Sequence, residues 1–419
     1  MSATDLSRHD LDILHRLAER AAAIAEHPDN VERRNAWYAL DGGNDRRPIV
    51  IAEFEGVQRD KTSPLPDSDL ACEDDWARRY ERQLRANIYR FEVLRDDHVF
   101  EPYIQLGWRI SRSNYGVEPV QHYGDNEGHL GSRRWDAPIA DLDADFHKLK
   151  PRTFGVDREG TLAEKARLES VFGGRLGVRI RGNPYWSLGM TRVAIDLIGL
   201  ENLMLAMYDN PEGLHRLMAF LRDDHLAFSE WLEREGLYNL NNENDYIGSG
   251  SFGYTRDLPG ADRAEGDPVR ERDLWVLLES QETVGVGPEQ FDEFVFQYQE
   301  EIGRRFGKIY YGCCEPVHLR WDVIKRLPNV ARVLVSPWCD QEAMAEACGD
   351  QVVFSRKPNP TLVSTERFDE DAIRQDIRTT VDAAKGCRLE IIMKDVHTLR
   401  NEPDRLARWV AIAREEVGG

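Results

Sequence analysis

Four short apolar runs in the last third of the chain, each breaking off in reactive or charged side chains, constrain the fold more than any other feature. The first, Lys308-Ile-Tyr-Tyr-Gly, leads into Cys313, Cys314 and Glu315. The second, 331–335, leads into Ser336-Pro-Trp-Cys-Asp340, the third, 351–354, into Ser355-Arg-Lys-Pro-Asn359, and the fourth, 388–393, into Lys394-Asp-Val-His397. Runs rich in Val, Ile and Tyr without polar alternation read as parallel strands buried on both faces. Segments of helical pattern at 318–327, 341–347, 369–384 and 403–417 separate and follow them. Polar strand ends converge in a barrel or an open α/β sheet, where they gather at one face. The chemistry is expected at that face.

The same alternation runs upstream. Residues 5–25 carry apolar side chains at helical spacing, with Ser7 or Asp5 as cap, and 28–35 continue that leading extension. Arg47-Pro-Ile-Val-Ile-Ala-Glu-Phe54 reads as the first strand, 73–94 as an amphipathic helix and 99–110 as the next strand. Residues 111–157 show no period and are too long for an ordinary connection, so a lid or insertion is expected, with His122 and His129 as surface histidines. Residues 161–172, 193–208 and 211–235 read as helices, the last opened by Asp209-Asn-Pro211. Residues 175–181, 237–247 and 273–282 read as strands, and Gly248-Ser-Gly-Ser-Phe-Gly253, lacking the lysine of a phosphate loop, as a flexible connection. The expected architecture is a single (β/α)8 TIM barrel over 47–419, with an N-terminal helical extension over 1–46 and the lid-like insertion 111–157.

Composition narrows the function. A net charge of -20, from 55 Lys plus Arg against 75 Asp plus Glu, repels phosphate backbones and anionic lipid surfaces, so neither nucleic acid nor membrane is expected as a partner. No basic leader followed by an apolar core opens the chain, no long apolar run follows, and a cytoplasmic location is expected. Its six cysteines then read as thiols, four of them between 313 and 387. Taken singly, each reads more readily as a small buried hydrophobe, a vicinal pair, a third Cys and a His at three strand ends together bring a metal site level with that reading, and Cys72, Cys348 and Cys387 are expected to be structural.

Several segments together resemble the uroporphyrinogen decarboxylase superfamily. They are Asp196 to Glu212 with its Tyr-Asp-Asn-Pro-Glu, Leu278-Glu-Ser-Gln-Glu followed by Val-Gly-Pro-Glu-Gln-Phe291, the turn Arg356-Lys-Pro-Asn-Pro360, and the terminal strand, loop and helix from Asp395 to Ala413. Their order, from about 175 onward, is the specific part. True decarboxylases of that superfamily carry an arginine-rich signature after the first strand, and here Glu53-Phe-Glu-Gly56 stands there, which would repel a tetra-acidic porphyrinogen. The chain is more similar to the corrinoid-dependent methyltransferase branch, whose zinc is held by His-x-Cys and a later Cys. It departs from that pattern, with Tyr311-Gly-Cys313 at the first position and His397 near the second.

The resemblance implies a zinc-dependent methyltransferase, moving a methyl group between a corrinoid (methylcobalamin) on a carrier protein and a small molecule. The zinc ligands it implies are Cys313, Cys339 and His397, with Cys314 as a substitute. Glu315, Asp340 and Asp395 are then expected to move protons or orient the imidazole. Glu279, Gln281, Glu282, Trp338, Arg356, Lys357, Asn359 and Lys394 are the expected substrate contacts. The alternative is a metal-independent carboxy-lyase of the same fold, with Arg356, Lys357 and Lys394 holding a small acid.

Overall fold

The structure is a computed structural model that describes residues 6–43, 47–54, 57, 63–124 and 133–418. His129, Glu55 and Gly56 lie outside the described residues.

Six parallel strands form one sheet: β1 (Ile49–Ala52), β2 (Trp275–Leu278), β3 (Lys308–Tyr311), β4 (Val330–Val335), β5 (Val353–Arg356) and β6 (Leu389–Met393). Their spatial order is β1-β6-β5-β4-β3-β2, so β2 to β6 each lie beside the next and the first strand lies beside the last, Ile49 opposite Glu390. That order is the one a barrel uses. Alternation sends Val50, Ile391, Phe354, Val333, Ile309 and Val276 outward into the main core beneath the helices. It turns Ile51, Ile392, Leu334, Tyr310, Leu277 and Trp275 to the inner face.

The inner face is filled by the glycine-rich turn. A side chain on Gly248 would meet Leu277 and Tyr310, each at 2.9 Å, and one on Gly250 would meet Ile392 at 2.7 Å and Glu53 at 3.6 Å. Because β2 and β1 are opposite edges of the sheet, one turn touching both requires the sheet to curl around it. Gly248 and Gly250 take φ of 150° and 88°, a region that side chains resist, so glycine serves both the conformation and the close approach. The segment expected as a flexible connection is therefore a buried plug, with Ser249 and Ser251 essentially inaccessible.

A closed eight-stranded barrel is not formed by the ladders of the described residues. Tyr103–Leu106 and Gly177–Ile180 pair in parallel with each other and not with the six-stranded sheet. The two sheet edges are capped by side chains and loops instead. Asp97 accepts from the Val50 N–H at 2.8 Å and donates its own N–H to the Val50 carbonyl, while Asp96 accepts from Ala52. At the other edge Asn241 bonds both the N–H and the carbonyl of Trp275, and the Leu188 N–H donates to Leu277. Carboxylates and amides thus satisfy backbone groups that a neighbouring strand would otherwise take.

The N-terminal extension folds as two helices, α1 (Arg8–Ala25), capped by Ser7, and α2 (Pro28–Gly42). Helix α3 (Asp75–Tyr89), capped by Asp74 and continued by a π turn over Arg90–Leu94, packs its Trp76, Tyr80 and Leu84 stripe with α1 in one satellite core. The insertion is less formless than its sequence. Arg109–Arg112 pairs antiparallel with Phe154–Asp157 at its base, and Val120–Tyr123 pairs with Arg133–Asp136 further out. The Trp135 indole donates to the Ile195 carbonyl at 3.1 Å, which ties it down. The expected helix over 193–208 is broken at Gly199, φ 81°, into Thr191–Ile198 and Leu200–Asp209, and Asn210 rather than Asp209 caps the helix Pro211–Arg234. The strand expected over 237–247 is reduced to Tyr246–Gly248, paired with Ser251–Phe252.

Candidate active site

The inner-face register continues past the strand ends. Two residues beyond Ile51, Leu277, Ser355 and Ile392 stand Glu53, Glu279, Lys357 and Lys394, so four ionisable groups fall on the carboxyl-terminal rim of the plugged interior. Lys357 is buried, its ammonium nitrogen donating to Ser355 Oγ at 2.7 Å and Tyr310 OH at 3.1 Å, while those hydroxyls bond each other at 2.8 Å. Burial, only partly opposed by Glu390 and reinforced by Lys394, pushes this amine down to about 7. Glu53 is spoken for, bridged by Arg90 at 3.1 Å.

Beyond β3 the chain turns at Gly312, φ 100°, where a side chain would meet Leu334 at 3.0 Å. Cys313, Cys314 and Glu315 follow. The buried Glu315 carboxylate accepts from the N–H groups of Cys313 at 2.9 Å, Cys314 at 3.0 Å and Ser280 at 2.8 Å, so it pins the loop after β3 to the loop after β2. The expected proton mover is thus placed as a backbone clamp. Both cysteine side chains remain partly accessible, with sulfurs 3.7 Å apart. The contact between them divides their chemistry: Cys313 is raised far above an ordinary thiol by that contact and by burial, while the same contact lowers Cys314 against its own burial. Lys394 helps, and Asp395 and Glu315 oppose. Of the two thiols, Cys314 is the one shifted toward the thiolate.

Glu279 closes the back of the site. It is essentially inaccessible, accepting from Ser187 Oγ and the Gln281 N–H, each at 3.2 Å. Burial first, then the charges of Glu282 and Glu315, raise its carboxyl well above the usual range. Glu282 accepts from Thr191 Oγ1 at 2.7 Å. The approach of Gly189 to Glu279 leaves no room for a side chain, and Gln299 donates to the carbonyls of both. Ser187, Thr191, Tyr310 and Ser355 are the polar groups that sequence reasoning missed. No pattern in the sequence marked them as a group, because they are brought together only by the fold.

The remaining expected residues disperse. Arg356 turns away from the rim, donating to Thr380 Oγ1 and pairing with Asp376 at 3.3 Å. Asn359 caps the turn at Thr361, and Asp340 caps the helix Gln341–Cys348 by accepting from the Ala343 N–H at 3.0 Å. Trp338 is 66% exposed. Asp395, φ 58°, and His397 lie exposed on the turn after β6. Cys339 is buried against Ser336 Oγ at 3.5 Å and the Glu315 carbonyl at 3.9 Å. Among the described residues no group of three His, Cys, Asp or Glu side chains stands so as to hold a metal ion. Cys313, Cys339 and His397, as placed, do not form a zinc site.

No protein-family model matches the chain, and no curated protein does. Among solved structures, a methyltransferase from Methanosarcina mazei is similar at 12% identity and a TM-score of 0.49, over 91% of this chain and 98% of that one. A likeness at that level does not decide a function.

Proposed function

We propose that the protein is a methyltransferase whose Cys314 thiolate captures a methyl group at the rim of the curled sheet. The observation that carries this reading is the vicinal pair itself, two partly accessible sulfurs 3.7 Å apart of which Cys314 is shifted toward the thiolate by its neighbour. Methyl transfer by displacement asks for a polarisable anion with an open approach and little else. The sulfur–methyl bond forms as the donor–methyl bond breaks, and the electron pair leaves on the donor. In the return step Cys314 departs with the pair as the acceptor takes the methyl, and the Cys313 contact that lowers the thiol also stabilises it as a leaving group.

The surroundings favour a flat, apolar donor. Trp186, Val284, Leu319 and Trp338 are exposed large hydrophobic side chains on loops around the strand ends, 46%, 49%, 59% and 66% accessible. Such a rim suits the face of a corrin presented by a carrier protein. No step is assigned to zinc.

Incubation with methylcobalamin, followed by peptide mapping, is expected to place one methyl group on Cys314. Iodoacetamide is expected to alkylate Cys314 and spare Cys313 below about pH 8. Methylation absent from Cys314, or unchanged in bulk when Cys314→Ser is used, would overturn the reading.

A carboxy-lyase acting on a small acid is the second reading, favoured by one observation: a Glu279 carboxyl raised well above its usual range and a Lys357 amine near 7 serve the same rim. It predicts carbon dioxide release that survives Cys314→Ser and is lost in Lys357→Met.

A further inference from the structure

A cavity of about 380 Å3 lies between α3 and the residues that follow β1. Arg79, Arg82, Gln83, Asn87 and Arg90 line it, and their spacing of three and four puts them on one face of the helix and its π-turn extension. An adjoining face of the helix, Trp76, Tyr80, Leu84 and Ile88, is buried, while Arg79 and Gln83 are exposed at the cavity mouth and Arg90 is buried at its end.

The charge on this stripe is only partly matched. Arg82 pairs with Asp67 at 2.7 Å, and Arg90 with Glu53 at 3.1 Å and Asp96 at 2.8 Å. Among the described residues Arg79 has no carboxylate partner, its guanidinium resting over the Tyr80 ring at 5.5 Å, and the amides of Gln83 and Asn87 bond no protein group. Two wall residues also hold buried polar atoms without a hydrogen-bond partner, Arg90 Nε and His98 Nδ1. No acidic side chain is among the described lining residues, in a chain of net charge -20. Phe54, Leu65 and Ala86 supply an apolar wall.

We propose that this cavity binds a small organic monocarboxylate with an apolar body, its carboxylate held by Arg79 and the two amides and its body against Phe54, Leu65 and Ala86. A guanidinium without an acid, flanked by amide donors, recognises a carboxylate and discriminates against its neutral amide. Concave sites that combine an apolar wall with a few convergent polar groups take ligands of this size. The proposal does not rest on methyl transfer.

The test is calorimetric titration of the full chain with benzoate, phenylacetate and hexanoate, each beside its amide. At least one acid is expected to bind at millimolar Kd or tighter, about tenfold more tightly than its amide. Arg79→Leu is expected to remove that preference. Ala86→Trp, whose indole fills the cavity, is expected to abolish binding in protein whose melting shows it folded. Cys314→Ser should bind normally, which separates this site from the thiol chemistry. No binding by any of the acids, equal binding of acid and amide, or an unchanged preference in Arg79→Leu would overturn the proposal.

Discussion

Two layers of charge lie on the inner face of one sheet, and they are built on opposite plans. In the lower layer every charge meets an opposite one. Arg332, fully buried between Trp37 and Trp275, bonds Glu390 at 3.1 Å and Ser251 at 2.6 Å, and Asp41 stands 3.6 Å from it while pairing with Lys308 at 2.8 Å. On the rim, Lys357 is held by two hydroxyls, Glu279 by one hydroxyl and one N–H, and Cys314 by a thiol. Neutral partners leave the cost of burying a charge uncompensated, so these groups shift toward the pH at which they can exchange protons. Paired charge fixes a core, and charge solvated by neutral partners is left reactive.

The comparison can be broken at several points. Arg332→Met strands Glu390 in the interior and is expected to cost about 3–5 kcal/mol in denaturant unfolding. A loss under about 1 kcal/mol would mean that the lower layer is not held by its pairing. Lys357→Met should do the reverse. The folded amine releases its proton near 7 and the unfolded one near 10.5, so across that window the unfolded chain binds more protons and wild-type stability rises with pH. The slope from this one group is about 1.4 kcal/mol per pH unit, present in wild type and absent from the variant when the two are subtracted. Parallel curves would show Lys357 to be charged and paired after all.

Glu279→Gln gives the smallest effect. A carboxyl held above its unfolded value loses stability as pH rises from the ordinary carboxylate range toward its folded value. The variant should therefore gain stability on wild type as pH rises above the ordinary carboxylate range, and show no gain below about pH 4. An advantage that persists in acid would assign the gain to packing.

The strand ends were legible because a buried parallel strand writes an uninterrupted apolar run, and because cysteine, lysine and glutamate immediately after such runs have few bland explanations. Glu279, Lys357 and Cys314 were found that way. Their partners were not, since Ser187, Thr191 and Ser355 are ordinary residues that matter only through contacts distant in the chain. The plug was misread because Gly-Ser-Gly has the same composition in a loose linker and in a turn pressed against four strands. Closure was over-read for a related reason. Periodicity reports that a strand is buried, and it is silent on whether a neighbouring strand or the carboxylates of Asp96 and Asp97 take its free edge.

The pairing of the first strand with the last carries a consequence for biosynthesis. The Ile-Val-Ile-Ala of β1 is separated in sequence from β6, the strand on which it completes its ladder, by all four other strands of the sheet. Growing at about 5–20 residues per second, the nascent chain carries this sticky tetrapeptide without its β6 partner until those four strands have been made. Helix α2 is made before it, and α3 with Asp96 and Asp97 soon after; the two aspartates bond its backbone and are placed to shield it from other chains until β6 arrives.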